Sequence, residues 1–246
     1  MKNTVKYILH KLLGFKNYLF IFSLYKILTL RKDKNEKDFF AFLKLIPPNT
    51  TVLDIGANIG IMTVHLARSI KGVSVYSFEP MPNNISAFKR IIRFFKLQNV
   101  KLFEIALGNK EGEVEMVMPV ISKVKMQGLS HVIHESIPEN NEGERIRVPL
   151  KMLDNMGEII NSSKRISAIK IDVENFEFFV LDGAKHLIEK NKPVVYAELW
   201  ENENREKCFE LFKGLNYKTV VVVDKKAVGF DPSKHKTQNF IFLTNS

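Results

Sequence analysis

The chain has 246 residues, 45% of them hydrophobic, a net charge of +10 and one cysteine. This length fits one large α/β domain with a small extension, and a lone Cys208 excludes an intrachain disulfide framework and suits a reducing compartment. Seven of the ten net charges fall in residues 1–37, where nine basic residues face only Asp33 and Glu36, so a basic nucleic-acid surface on the body of the chain is not indicated.

Residues 1–49 read as a basic, apolar, helical extension, followed by a domain over 50–246. Lysines interrupt the extension well short of the roughly 20 apolar residues that a membrane span needs. No small-residue cleavage pattern follows it, which argues against a secretory peptide. Two readings of this arm stay open. It covers part of the core or a partner subunit, or it lies as an interfacial helix against an anionic membrane. The expected location is cytoplasmic, peripheral at the inner membrane face under the second reading. A short helix over Glu36–Leu45 is stopped by Pro47 and Pro48.

The stretch Thr51–Gly60, TVLDIGANIG, is the most informative. Val52, Leu53 and Ile55 predict a buried strand over Thr51–Ile55, and Ile61–Ile70 predicts a helix. Gly56, Ala57, Asn58 and Gly60 then form the strand-to-helix turn, where backbone N–H groups can meet a ligand. The dinucleotide fingerprint is G-x-G-x-x-G. This chain has G-x-x-x-G with Asp54 two residues earlier, a spacing typical of S-adenosylmethionine sites rather than NAD sites. A second strand, Ser74–Phe78, ends in Glu79, about 20 residues past the glycine turn, where a carboxylate accepts hydrogen bonds from ribose hydroxyls.

The pattern continues with a helix over Asn83–Lys96, a strand over Val100–Ile105 and the segment Ala106–Gly108. Gly112–Met118 alternates like an exposed strand that pairs with Arg145–Leu150. The Pro119–Asn140 insertion between them is expected to overhang the site and to select the acceptor. Further elements are expected as a helix at Leu153–Ile160, a strand at Ile166–Ile171, a helix at Phe176–Glu189, a strand at Pro193–Leu199, a helix at Asn204–Leu215, and strands at Tyr217–Val223 and Asn239–Leu243. Strands alternating with helices imply a seven-stranded, mostly parallel sheet with helices on both faces. The last strand follows no helix and is expected to insert antiparallel. Ligands of such sheets bind beyond the carboxyl ends of the strands, where Asp54, Glu79, Asp172 and Glu198 lie. This acid-rich rim suits a cationic sulfonium or a divalent metal, although no Cys/His metal spacing supports a metal.

Several stretches together resemble the FkbM family of methyltransferases: TVLDIGANIG, the FEP of Phe78–Pro80, IALGNKEGEVE at Ile105–Glu115, IKIDVENFEFFVLDGA at Ile169–Ala184 and KPVVYAELW at Lys192–Trp200. The resemblance covers about residues 50 to 243 and omits the arm. It implies a Rossmann-like class I methyltransferase that uses S-adenosylmethionine, mainly for O-methylation of natural products or bacterial surface sugars. By motif match, Asp54, Gly56, Ala57, Asn58 and Gly60 would surround the methionine half of the cofactor. Glu79 would hold the ribose, Ala106 and Leu107 would border the adenine, and Pro80 would also contact the cofactor. Asp172 would lie at the reactive centre. The family reads D-V-E-G-x-E where this chain has Asn175, a residue that tolerates the left-handed backbone better than other non-glycine types.

Methyl transfer to an alcohol needs a base or a metal to take the proton in the transition state. Asp172 is the first choice, with Glu198 in support. Glu174 and Glu177 are weaker candidates, since acids are favoured at a helix start in any case. His131 and His134 in the insertion have a pKa suited to base work, though loop histidines are more often merely solvated. Lys170 shares a strand face with Asp172; it either orients that carboxylate or forms a buried or sheet-edge ion pair. The rival class is a catalytically inactive, methyltransferase-like scaffold of glycan assembly. Base methylation of nucleic acid is disfavoured, because D-V-E-N stands where such enzymes carry a (D/N)-P-P-(Y/F) tetrad.

Overall fold

Apolar runs bounded by turns build the central layer of the computed structural model, which describes residues 2–137, 139–224 and 226–244. Met1 of the expected arm, Pro138 of the expected insertion, Lys225 and the last two residues of the expected domain lie outside that description, as do the side chains of Lys2 and Asn3. In chain order the helices are α1 (Lys2–Leu13), α2 (Phe15–Thr29), α3 (Lys37–Leu43), α4 (Ile61–Ser69), α5 (Pro82–Phe94), α6 (Gly157–Ile160), α7 (Glu177–Asp182), α8 (Lys185–Asn191) and α9 (Glu203–Gly214). The strands are β1 (Thr51–Ile55), β2 (Ser74–Phe78), β3 (Val100–Phe103), β4 (Ala106–Leu107), β5 (Gly112–Ile121), β6 (Val124–Lys125), β7 (His131–Val132), β8 (Gly143–Lys151), β9 (Ile166–Ile171), β10 (Val194–Glu198), β11 (Tyr217–Val223), β12 (Lys226–Gly229) and β13 (Asn239–Thr244).

The main sheet has the order β12-β11-β13-β10-β9-β1-β2-β3. Strands β3, β2, β1, β9 and β10 run parallel, and β13 inserts antiparallel between β10 and β11. The order reverses at β1, so the crevice beyond β1 and β9 is where ligands of such sheets bind. The fold is the class I methyltransferase α/β architecture, with a correction to the count: eight strands rather than seven, because β12 folds back on β11 as a hairpin. A second sheet, β4-β8-β5-β6 with β7 on β5, contains the expected pairing of 112–118 with 145–150.

The helix expected over Phe176–Glu189 is two helices. A Cβ on Gly183 would sit 2.0 Å from the Gly108 carbonyl oxygen, so the two backbones touch there. Asp154 then caps the restart, accepting hydrogen bonds from the His186 and Leu187 N–H groups. Likewise, Leu153–Asn155 is a 3₁₀ turn before the short α6 rather than part of one helix.

The arm divides in two at Gly14, whose φ of 71° turns α1 away from α2. The inner face of α2 buries Leu19, Ser23 and Ile27, and Ser23 Oγ donates to the Ile59 carbonyl in the glycine turn. Leu30, Phe39 and Phe42 join the same apolar cluster as Val52, Val64 and Phe88. Cys208 is buried in α9, as a structural thiol should be. Among the described residues no helix is long and apolar enough to cross a membrane.

Candidate active site

The glycine turn is held shut by its own chain. Gly56 has φ 71°, and a Cβ there would lie 1.8 Å from the Asp172 carbonyl oxygen, so only glycine lets β1 and β9 end side by side. Gly60 has φ 81° at the start of α4, with the Phe88 ring where a side chain would go. The N–H groups of Gly56 and Ala57 donate to the Phe78 carbonyl, and that of Gly60 to Ala57. These glycines therefore shape the turn by close packing, and the amides of residues 56, 57 and 60 are taken within the chain.

Glu79 crosses the crevice to meet this turn. Its Oε2 accepts from the Asn58 N–H at 2.8 Å, and its Oε1 accepts from the Met81 N–H at 2.8 Å and the Asn84 amide at 3.2 Å. A carboxylate offers about four acceptor positions, so one on Oε2 stays open. Burial pushes the Glu79 carboxyl up to about 7, against the pull of those three donors.

Beneath the crevice, Lys170 is buried between two carboxylates. Its Nζ lies 3.7 Å from Asp54 Oδ1 and 3.7 Å from Asp172 Oδ2, and it donates to the Gly56 carbonyl at 3.0 Å. Burial opposes its charge, but Asp172, Asp54, Glu198 and Glu79 outweigh that and hold the ammonium above its usual range. Asp54 takes a 2.5 Å hydrogen bond from Thr63, and burial raises its pKa.

The rim beyond β9 and β10 is crowded with acids. Burial and then the neighbouring charges of Asp172, Glu198, Glu177 and Glu139 push Glu174 up to about 9. Burial, with the Asp172 charge, pushes Glu198 up to about 7. Burial likewise raises Glu177 to about 8, although its Oε1 accepts from the Val173 N–H. Among the described residues no group of three or more His, Cys, Asp or Glu is arranged to hold a metal ion.

Asn175 closes the rim. Its φ is 72°, the left-handed conformation its side chain tolerates. Its Nδ2 donates to Glu139 of the insertion at 2.7 Å, its Oδ1 accepts from Asn202 at 2.6 Å, and its carbonyl accepts from Asn204 at 3.0 Å. Asn202 also caps α9 by accepting from the Arg205 N–H.

One cavity, about 590 Å³ including its mouth, joins these parts. Gly56, Asn58, Glu79, Pro80, Ala106, Leu107 and Asp172 line it; Asp54, Ala57, Gly60, Glu198, His131 and His134 do not. Asp54 lies in the layer beneath. The two histidines have structural partners: His131 Nδ1 donates to the Leu129 carbonyl with Nε2 3.1 Å from the Asn141 amide oxygen, and His134 Nδ1 meets Ser136 while its ring packs on Phe179. Their expected role as base therefore finds no support in the geometry. Sequence reading missed the roof, Gln127, Gly128 and Ser130, and the wall residues Met81 and Asn84. Asn84 follows Glu79 at helical reach, a signal that was available; the roof comes from a distant loop and left none.

Residues similar to this chain occur in known proteins. It is 28% identical over 151 residues to Methyltransferase 1 of Beauveria bassiana, covering 56% of this chain and 59% of that one. It is 23% identical over 177 residues to Methyltransferase sdnD of Sordaria araneosa, covering 63% and 68%. The crystal structure of the FkbM methyltransferase from Methylobacillus flagellatus superimposes with a TM-score of 0.51 at 15% identity, over 79% of this chain and 44% of that chain, and shares its fold. The chain thus spans 59% of the first relative and less than half of the solved one. Residues 54–221, from the acid of the glycine turn to the sixth main strand, match the methyltransferase FkbM domain, and the chain belongs to that family.

Proposed function

We propose that this protein transfers a methyl group from S-adenosylmethionine to a hydroxyl oxygen of a small molecule or of a bacterial surface glycan. The observation that carries the reading is the single cavity that joins the glycine turn, Glu79, the Ala106–Leu107 edge and Asp172. The residues present fit the cofactor. Glu79 Oε2 keeps one acceptor position for a ribose hydroxyl, Asn58 and Asn84 on the wall carry buried amide oxygens without partners among the described residues, and Ile105, Leu107 and Phe78 give an apolar face for a base.

When bound, S-adenosylmethionine supplies a methyl carbon on a sulfonium, whose C–S bond breaks as the acceptor oxygen bonds to that carbon. The residues supply position and proton transfer. Asp172, on the cavity wall and steered by the Lys170 ammonium, takes the hydroxyl proton. Glu198, whose carboxyl feels the Asp172 charge and is pushed up to about 7, would relay that proton outward. The reading extends to place: cytoplasmic, peripheral at the inner membrane face through residues 1–37.

Calorimetric titration tests it. S-adenosylmethionine and S-adenosylhomocysteine should bind the full chain while NAD does not, and Glu79→Ala should weaken both by about tenfold or more, the loss of a charge-assisted hydrogen bond. Wild-type protein that binds neither compound would leave the scaffold reading in its place.

A further inference from the structure

The N-terminal hairpin presents an apolar surface that the fold does not use. On α1, Val5, Ile8, Leu9 and Leu12 follow the i, i+3, i+4, i+7 rule of a buried stripe, yet all four are exposed, Leu12 by 76%. On α2, Ile21, Tyr25 and Leu28 form a second exposed stripe, opposite the face that buries Leu19, Ser23 and Ile27. The stripes meet in one groove, lined by Val5, Leu9, Ile21 and Tyr25 among others. Seven of the thirteen exposed large apolar residues described lie on these two helices, which marks an interaction surface rather than ordinary scatter.

The charge around the groove selects the occupant. Lys6 lines the groove beside Val5 and Leu9, Lys11 is on the same helix, and residues 1–37 carry a net charge of +7. A second copy of the chain would set two such arms against each other, whereas a surface of anionic headgroups neutralises both the lysines and the exposed apolar area. With 12 and 15 residues, α1 and α2 are too short to span a bilayer and suited to lie in its surface.

We propose that the α1–α2 hairpin docks in the plane of an anionic bilayer, with Leu12, Leu28 and their stripes in the acyl boundary and the lysines among the headgroups. This deepens the membrane placement in the proposed function and does not depend on methyl transfer. Docking also fixes the orientation of the site. Ser23 of α2 is bonded to the glycine turn, and Lys125 of the insertion lies 5.2 Å over the Phe15 ring at the start of α2.

The test is co-sedimentation of the full chain with phosphatidylcholine vesicles, with and without phosphatidylglycerol. The protein should pellet with the anionic vesicles and stay in solution with the neutral ones. The double variant Leu12→Glu, Leu28→Glu alters only exposed positions and should lower anionic-vesicle affinity about tenfold or more. Lys11→Glu with Lys16→Glu should lower it independently, and unchanged melting temperatures would show that both variants fold. Equal binding to neutral vesicles, or no binding by the wild type, overturns the proposal. A concentration-dependent dimer that the Leu12→Glu, Leu28→Glu variant dissociates, with no vesicle binding, would assign the groove to a second copy instead. Cofactor titration of the same samples separates failure of docking from failure of the methyl-transfer reading.

Discussion

Glu79 and Glu174 line the same cavity under opposite conditions. Glu79 is fully buried but receives three hydrogen bonds, so its oxygens are fixed in place. Glu174 receives no side-chain hydrogen bond among the described residues and faces Asp172, Glu198, Glu177 and Glu139. The first region is a preorganised cradle with its geometry settled before a ligand arrives. The second stores like charges and answers them by holding protons. Under the proposed function, binding and chemistry are thereby separable, the first depending on shape and the second on charge.

The sharpest way to break this separation is Asp172→Asn. The change removes the proposed base without altering shape, so turnover should fall by about 10²–10⁴-fold with cofactor affinity retained; single-turnover assays beside calorimetry would read both. Gly56→Ala is the converse, acting through shape alone. Its Cβ would enter the Asp172 carbonyl at a positive φ, and unfolding in urea should show a loss of about 3 kcal/mol. Equal stability would mean that the two strand ends are free to part. The smallest effect is that of pH. Glu79, Glu198, Glu177 and Glu174 are pushed up to about 7, 7, 8 and 9 from 4.5. Between those values the unfolded chain has released protons that the folded chain keeps. Stability is therefore fullest below about pH 4.5 as far as these groups go, and falls as pH rises through 7 to 9. The melting temperature should be about 4 °C or more lower at pH 9 than at pH 6. Bound S-adenosylmethionine, a cation, should offset part of that fall.

Much of the scaffold was legible because local pattern and final contacts agree. Strands at 51–55, 74–78, 166–171 and 217–223 match their apolar runs, and the antiparallel insertion of β13 follows from the missing helix before it. The break at Gly183 was hidden, because its cause is the backbone of Gly108, 75 positions away. The two-residue strands β4, β6 and β7 carry no period to read. The same division holds at the site. Gly56, Asn58, Glu79 and Asp172 stand at strand ends, where topology converts sequence position into spatial position. Gln127, Gly128 and Ser130 come from an insertion whose course is set by tertiary contacts. Asp54, expected beside the cofactor by motif, does not line the cavity and has its Oδ1 3.7 Å from Lys170 Nζ in the layer below.

The Asn175 clasp has a consequence beyond the rim. One side chain joins Glu139 at the base of the roof segment to Asn202 at the cap of α9, and Asn204 joins through the backbone. Asn204 Nδ2 also reaches Ser136 Oγ of the insertion at 3.4 Å, a second tie between that segment and the first turn of the helix. The roof segment and the start of α9 are therefore tied into one hydrogen-bonded network centred on Asn175, so a change at that residue reaches both the cavity wall and the helix that leads to β11.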